Sequence, residues 1–168
     1  MATQLDIRVG KVLTCVKHPE ADQLYVETID LGEDQPRTIC SGLVAFYPDP
    51  AAIIGRSVAV VCNLKPRPLK GVESNGMVLA ASDAGKTVVK LVEAAGAPGE
   101  RVTFGGKTGE AAQPQVVNKK KILETVLAGL GTDADGKVVF KDDKGAAHAM
   151  ETHAGACTGG GLANAHVG

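Results

Sequence analysis

Between Asn63 and Met77 the chain carries two prolines one residue apart and two glycines, and that spacing leaves the backbone few options. Pro66 and Pro68 fix φ and push their predecessors, Lys65 and Arg67, into extended backbone. Lys65, Arg67 and Lys70 are therefore displayed on a stiff loop with little entropy left to lose, and three cations so placed suit phosphate. Gly71 and Gly76 permit positive φ or the close approach of a ligand, and Ser74 offers a hydroxyl donor between them. An ordinary solvated hairpin loop with screened charges fits the same residue types.

The flanking segments read as short strands. Leu5, Ile7 and Val9 alternate with Asp6 and Arg8, and Gly10 reads as a bulge that lets a long first strand coil through a small barrel. Arg8 and Lys11 then point outward, as phosphate contacts or as solvated charges. His18 to Asp22 is a turn fixed by Pro19, and Leu24–Leu31 pairs with Arg37–Ser41 as a hairpin. Asp49 to Gly55 carries an N-cap aspartate, a proline at the first helical position and a closing glycine, which predicts a short helix. Ser57–Cys62 is apolar throughout and therefore central; Met77–Ala81 and Thr87–Leu91 supply two more strands. Met77 opens a strand, so it suits the core as well as a ligand. Five or six antiparallel strands with one helix between the third and fourth match a mainly β chain of the OB layout, a five-stranded Greek-key barrel.

A chain of 168 residues could bury one core or split in two, and the split is preferred: a barrel over 1–106 and a small α+β extension over 107–168, with Gly105 to Glu110 as linker. Val117 to Leu130 has helical spacing, with Lys119, Lys120 and Lys121 opening it and Gly131 closing it. Lys137–Lys141 is a strand, and Lys144–Met150 returns beside it. The tail from Gly155 to Gly168 is too rich in Gly and Ala to form a core alone, so it leans on the rest.

Net charge is −1, which argues against a generically basic nucleic-acid binder and leaves a local patch. Acids lead bases eight to five up to Cys62, whereas bases lead seven to four from Asn63 to Lys107, so the positive surplus sits around the proline loop. The aromatics are Tyr25, Phe46, Tyr47, Phe104 and Phe140, too few for serial base stacking. Structured RNA read by shape and phosphate fits better. Cys15, Cys40, Cys62 and Cys157 lie far apart, as reduced, buried thiols of a cytosolic protein would. His18, His148, His153 and His166 form no metal-ligand pattern, and no nucleophile has a base at motif spacing, so neither catalysis nor a cofactor is expected. Gly106-Lys107-Thr108 lacks the upstream glycine and the helix of a phosphate-binding loop. No membrane span or leader is visible.

Asn63-Leu64-Lys65-Pro66 followed by Gly71-Val72-Glu73-Ser74-Asn75-Gly76-Met77 resembles the signature of the tRNA-binding domain of the endothelial-monocyte-activating polypeptide family. That family includes Arc1p and the carboxy-terminal domains of some tyrosyl- and methionyl-tRNA synthetases. Leu5–Val12, His18–Glu27, Arg37–Leu43 and Ala97–Glu100 agree in order. The resemblance implies non-catalytic tRNA binding as an accessory or appended domain of a synthetase. Ser74 would donate to phosphate or a 2′-hydroxyl and Met77 would pack on sugar or base, with Asn63, Lys65, Arg67, Lys70 and Gly76 beside them. It also implies that the extension, through Cys157, Leu162, Asn164 and Ala165, packs on the barrel in place of a second subunit, giving a monomer with a pseudo-dimer interface. Arg8 to Thr14 resembles the family's amino-terminal heptapeptide, which implies a second role in cytokine-like signalling, in secreted form, or in multi-synthetase-complex assembly.

Overall fold

The computed structural model describes every residue from Met1 to Gly168. Its first two-thirds hold β1 Ile7–His18, β2 Ala21–Asp30, β3 Arg37–Ser41, β4 Ser57–Val61, β5 Arg67–Leu69, β6 Val72–Ser74, β7 Met77–Val78, β8 Ala80–Ser82, β9 Val89–Leu91 and β10 Thr103–Phe104. The remainder holds the helices α1 Pro114–Lys119 and α2 Ile122–Gly129, then β11 Leu130–Thr132, β12 Val138–Lys141, β13 Ala147–Thr152, β14 Gly155–Ala156 and β15 His166–Val167. The chain is mostly β with few helices, as its turn-rich apolar runs predict. One curled sheet runs β3-β2-β1-β4-β7. A second runs β10-β13-β12-β11-β15-β8-β9, so β15 from the end of the chain lies between β11 and β8.

The strand β4 is apolar at consecutive positions because both of its faces are covered. Val58 and Val60 pack with Tyr25, Ile29 and Ile39 inside the curled sheet. Ala59 and Val61 pack on the other side with Ile7, Val9, Val126 and Met150, residues drawn from both ends of the sequence. Stretches 1–106 and 107–168 thus share one apolar cluster.

Three local expectations change. Gly10 is not a bulge: it pairs in register with Val58, and the register shifts along β1 fall between Val12 and Thr14 and between Lys17 and His18. A Cβ on Gly10 would lie 2.7 Å from Ile29 Cγ2, so close packing of side chains excludes one there. The break in alternation after Val9 has a second cause. Ile7 and Val9 face the extension, whereas Val12 faces the interior of the curled sheet, so one strand serves two cores in turn. The expected helix at Asp49 is a single 3-10 turn, Pro50–Ala52, whose N-cap Asp49 accepts the Ala51 N–H at 3.0 Å.

The expected helix from Val117 to Leu130 is broken. Lys121 takes a left-handed conformation, φ 51°, between α1 and α2, so the lysine run stands at a corner rather than at a helix start. Val117 and Ile122, five residues apart, would point roughly 140° apart on one continuous helix. The corner lets both enter the shared cluster.

Met150→Ala, a truncation inside that cluster, is expected to lower stability by about 2–5 kcal/mol. Because the cluster joins both stretches, fluorescence of Tyr25 and Tyr47 and far-UV circular dichroism should still report one coincident unfolding transition. Separated transitions would show that the two stretches unfold independently.

Candidate nucleic-acid interface

The stretch from Asn63 to Met77 folds as an arm. Arg67 lies opposite Ser74 and Leu69 opposite Val72, and Lys70-Gly71 closes the hairpin with φ of 48° and 89°, the two positive values that a two-residue type I′ turn needs. The base of the arm is clamped. Asn63 is buried, and its Oδ1 accepts the Asp6 N–H at 2.8 Å while Nδ2 donates to Gln4 O and Ala112 O, both at 2.9 Å. Arg37 Nη1 donates to Cys62 O at 2.7 Å and to Asn75 O at 3.1 Å, one carbonyl on each side of the arm. Ser74 Oγ, also buried, accepts the Cys40 N–H at 2.9 Å and donates to Gly76 O at 3.3 Å. His18 holds the hairpin itself. The Glu20 N–H donates to its Nδ1 at 3.0 Å, so Nε2 carries the proton and donates to Leu69 O at 2.8 Å. Arg37 and His18 are anchors that no local sequence signal marks, since their partners on the arm lie 25 to 51 residues away.

Between the arm and the α1–α2 corner lies a cleft of about 550 Å³. Lys65, Arg67, Ser74, Gly76 and Met77 line one side of it, and Lys86, from the turn between β8 and β9, joins them. Lys65, Arg67, Lys70 and Lys86 are all exposed, and Lys70 stands at the tip of the arm. Met77 is half-buried: it packs against the shared cluster and also lines the cleft. A Cβ at Gly76 would lie 3.0 Å from Val61 O, so the backbone is pressed onto β4 at that point. Arg8 and Lys11 lie elsewhere, on β1, and do not line the cleft. Arg8 donates from Nε and Nη2 to Asp6 Oδ1 and Oδ2 at 3.0 and 2.9 Å, and this contact raises its pKa above the ordinary arginine value. The segment Arg8 to Thr14 lies wholly within β1.

Charge pairing separates structural cations from free ones. None of the six ion pairs uses a lysine. Of the five arginines, Arg8 and Arg101 pair with Asp6, Arg37 with Glu33 and Arg56 with Glu93. Arg67 alone has no carboxylate, and it faces the cleft. The cleft lining therefore holds three cations, Lys65, Arg67 and Lys86, against the one carboxylate of Glu124, a local balance that the net charge of −1 conceals.

A curled β sheet with an unpaired cationic rim beside a partly apolar cleft defines a binding domain. Comparison with known proteins makes the class particular: the family model "Putative tRNA binding domain" matches residues 7–101, and the chain belongs to that family. It is 43% identical over 166 residues to a probable methionine–tRNA ligase of Oryza sativa subsp. japonica, covering 98% of this chain and 20% of that protein. It is 41% identical over 140 residues to aminoacyl tRNA synthase complex-interacting multifunctional protein 1 of Mus musculus, covering 83% and 44%. The chain spans about a fifth of the length of the first ligases that it matches. Among solved structures, the C-terminal domain of Plasmodium vivax p43 superposes with a TM-score of 0.83 at 25% identity, covering 100% of this chain and 99% of that one. The MetRS related protein from Pyrococcus horikoshii superposes with a TM-score of 0.55 at 31% identity, covering 59% and 90%.

One acidic group stands directly behind the cleft. Glu27 is fully buried; the Ser41 hydroxyl, on a residue that lines the cleft, donates to its Oε1, and its Oε2 has no partner. Burial pushes its pKa from 4.5 up to about 7, with the Ser41 bond opposing. The four cysteines are free and buried, and burial pushes the Cys15, Cys62 and Cys157 thiols up to about 12, which makes them poor nucleophiles. Between 4.5 and about 7 the folded chain holds a proton on Glu27 that the unfolded chain has lost. Stability therefore falls as pH rises through that window and levels off above it, by at most about 3 kcal/mol. Glu27→Gln is expected to flatten this dependence in melts from pH 5 to pH 8; an unchanged slope would place the titrating group elsewhere.

Proposed function

We propose that this chain binds tRNA through the arm and the adjoining cleft, making and breaking no bond, as an appended or accessory domain of an aminoacyl-tRNA synthetase or a synthetase complex. The observation that carries the reading is Arg67: the one arginine without an acidic partner faces the cleft, on an arm stiffened by two prolines and clamped at its base. Membership of the tRNA-binding family, together with ligases and a synthetase complex-interacting protein among the relatives, supports RNA as the anion and the cytoplasm as the place.

Lys65, Arg67 and Lys70 are the phosphate contacts in this reading, each releasing a counterion on binding. Met77 packs against sugar or base from its half-exposed position. Asn63 and Ser74 act as positioning residues, since their buried side chains are already satisfied inside the protein, and Gly76 does so by letting the backbone lie against β4. Arg8 stays with Asp6, and Lys11 contributes to the field at longer range. The curled sheet is an OB-type barrel over 1–106, and residues 107–168 cover it as a second subunit would, leaving a monomer.

Filter binding of total tRNA across a salt series tests the assignment. Lys65→Ala and Arg67→Ala should each weaken binding and reduce the slope of log affinity against log salt by roughly 0.7–0.9. Ser74→Ala should instead lower the melting temperature, because the buried Cys40 N–H loses its acceptor at about 1–3 kcal/mol. A folded Arg67→Ala with unchanged affinity and slope would refute the reading. Light scattering should give the mass of a monomer.

A further inference from the structure

Three lysines in or next to the cleft have an uncommon backbone. Four residues other than glycine have positive φ: Lys70 at 48°, Lys86 at 52°, Lys121 at 51° and Asn164 at 51°. Asparagine visits that region readily, but a lysine occupies it at a cost of about 1–2 kcal/mol. Such outliers concentrate where a structure holds a side chain in place for use. All three lysines are exposed and free of carboxylates. Lys86 lines the cleft, while Lys70 and Lys121 adjoin residues that line it: Lys70 follows Leu69 at the tip of the arm, and Lys121 stands at the corner between Asn118 and Leu123 on the opposite side. Lys119 and Lys120 are exposed next to it.

The cleft also has a size. A volume of about 550 Å³ is that of a small-molecule pocket and admits no duplex. Its partly buried aromatic, Phe46, gives one flat apolar surface, and Asn118 and Glu124 on the helical wall offer hydrogen-bonding groups. A carboxylate at Glu124 repels phosphate but suits the amino edge of a base.

We propose that the α1–α2 corner is the second wall of the RNA site and that the cleft takes one unpaired nucleotide of an otherwise folded RNA. Its base lies against Phe46. The flanking phosphates are held by Lys65, Arg67 and Lys86 on the arm side, and by Lys119, Lys120 and Lys121 on the other. The inference rests on the tRNA reading above and deepens it: the extension does not only cover the sheet but also reads the ligand.

The test pairs melting with binding. Lys86→Asn and Lys121→Asn place a residue suited to positive φ, so each should hold or raise the melting temperature. Each should nevertheless weaken binding of total tRNA roughly three- to tenfold and lower the salt slope by roughly 0.7–0.9. Lys121→Arg should retain affinity, and Lys144→Asn, in the turn between β12 and β13 outside the cleft, should leave it unchanged. In a second arm, the wild-type chain should prefer an RNA duplex with a short unpaired 3′ tail over the same duplex with blunt ends, and the Lys86→Asn, Lys121→Asn double variant should lose that preference. Wild-type affinity and slope in the double variant, or equal binding of tailed and blunt duplexes, would overturn the proposal while leaving the tRNA reading intact. A folded wild-type chain that binds no tRNA would overturn both.

Discussion

The structure depends on the burial of β4 from both sides. Val58 and Val60 belong to the interior of the curled sheet, while Ala59 and Val61 belong to the cluster beneath the extension. At about 1.5–3 kcal/mol for each fully buried valine, neither face can be left to solvent. An uncovered outer face, with Ile7 and Val9 beside Ala59 and Val61, would be a contiguous apolar patch of the kind that soluble monomers do not keep. The extension covers it, and in doing so sets α1 and α2 opposite the arm. The cleft is therefore a by-product of core formation, since its walls are held apart by the same packing that stabilises the sheet. Asn63 ties the two together: one carboxamide holds Asp6 and Gln4 at the start of the chain and Ala112 at the approach to α1.

Charge is divided along the same line. Four arginines are paired with carboxylates of the chain, and three of them, Arg37, Arg56 and Arg101, also donate to backbone carbonyls, as Arg37 does with Glu33, Cys62 and Asn75. The lysines and Arg67 remain free. At physiological salt, charges separated by more than about 8 Å are largely screened, so the local arrangement matters and the sum over the chain does not. A net charge of −1 is compatible with a cation-lined cleft because Asp6, Glu33 and Glu93 are already engaged by arginines away from it.

Much of this was legible in the sequence, and the failures share a cause. The strands, the hairpin of β2 and β3, the stiff arm and its exposed cations follow from alternation and from proline and glycine chemistry, all of which are local. The role of Gly10, the corner at Lys121 and the placement of β15 are set by contacts with residues distant in the chain. Periodicity reports one buried face at a time, so a strand serving two cores looks like a strand interrupted by a bulge. The same blindness affects polar residues. Ser74 and Asn63 stand among exposed cations in the sequence, yet, apart from the Ser74 bond to Gly76 O, their partners lie 34 to 59 residues away and draw both side chains inward. Arg37 and His18 are equally silent, because an arginine that caps carbonyls across an arm looks, in one dimension, like an arginine in solvent.

The costs that this fold carries are unevenly distributed, and their distribution has physical content. The buried side-chain oxygen that finds no partner belongs to Glu27, one hydrogen bond behind Ser41 in the wall of the cleft. Three of the four left-handed residues other than glycine are lysines; Lys86 lines that cleft, and Lys70 and Lys121 adjoin residues that do. A chain free to optimise only stability would place asparagine or glycine at those turns and an apolar residue at position 27. Such local conflicts are tolerated because the two-sided core supplies a surplus elsewhere, and they gather where consistency between local preference and fold is expected to yield to function. The region of the molecule that departs most from its own folding rules is thus the one bounded by its unpaired cations.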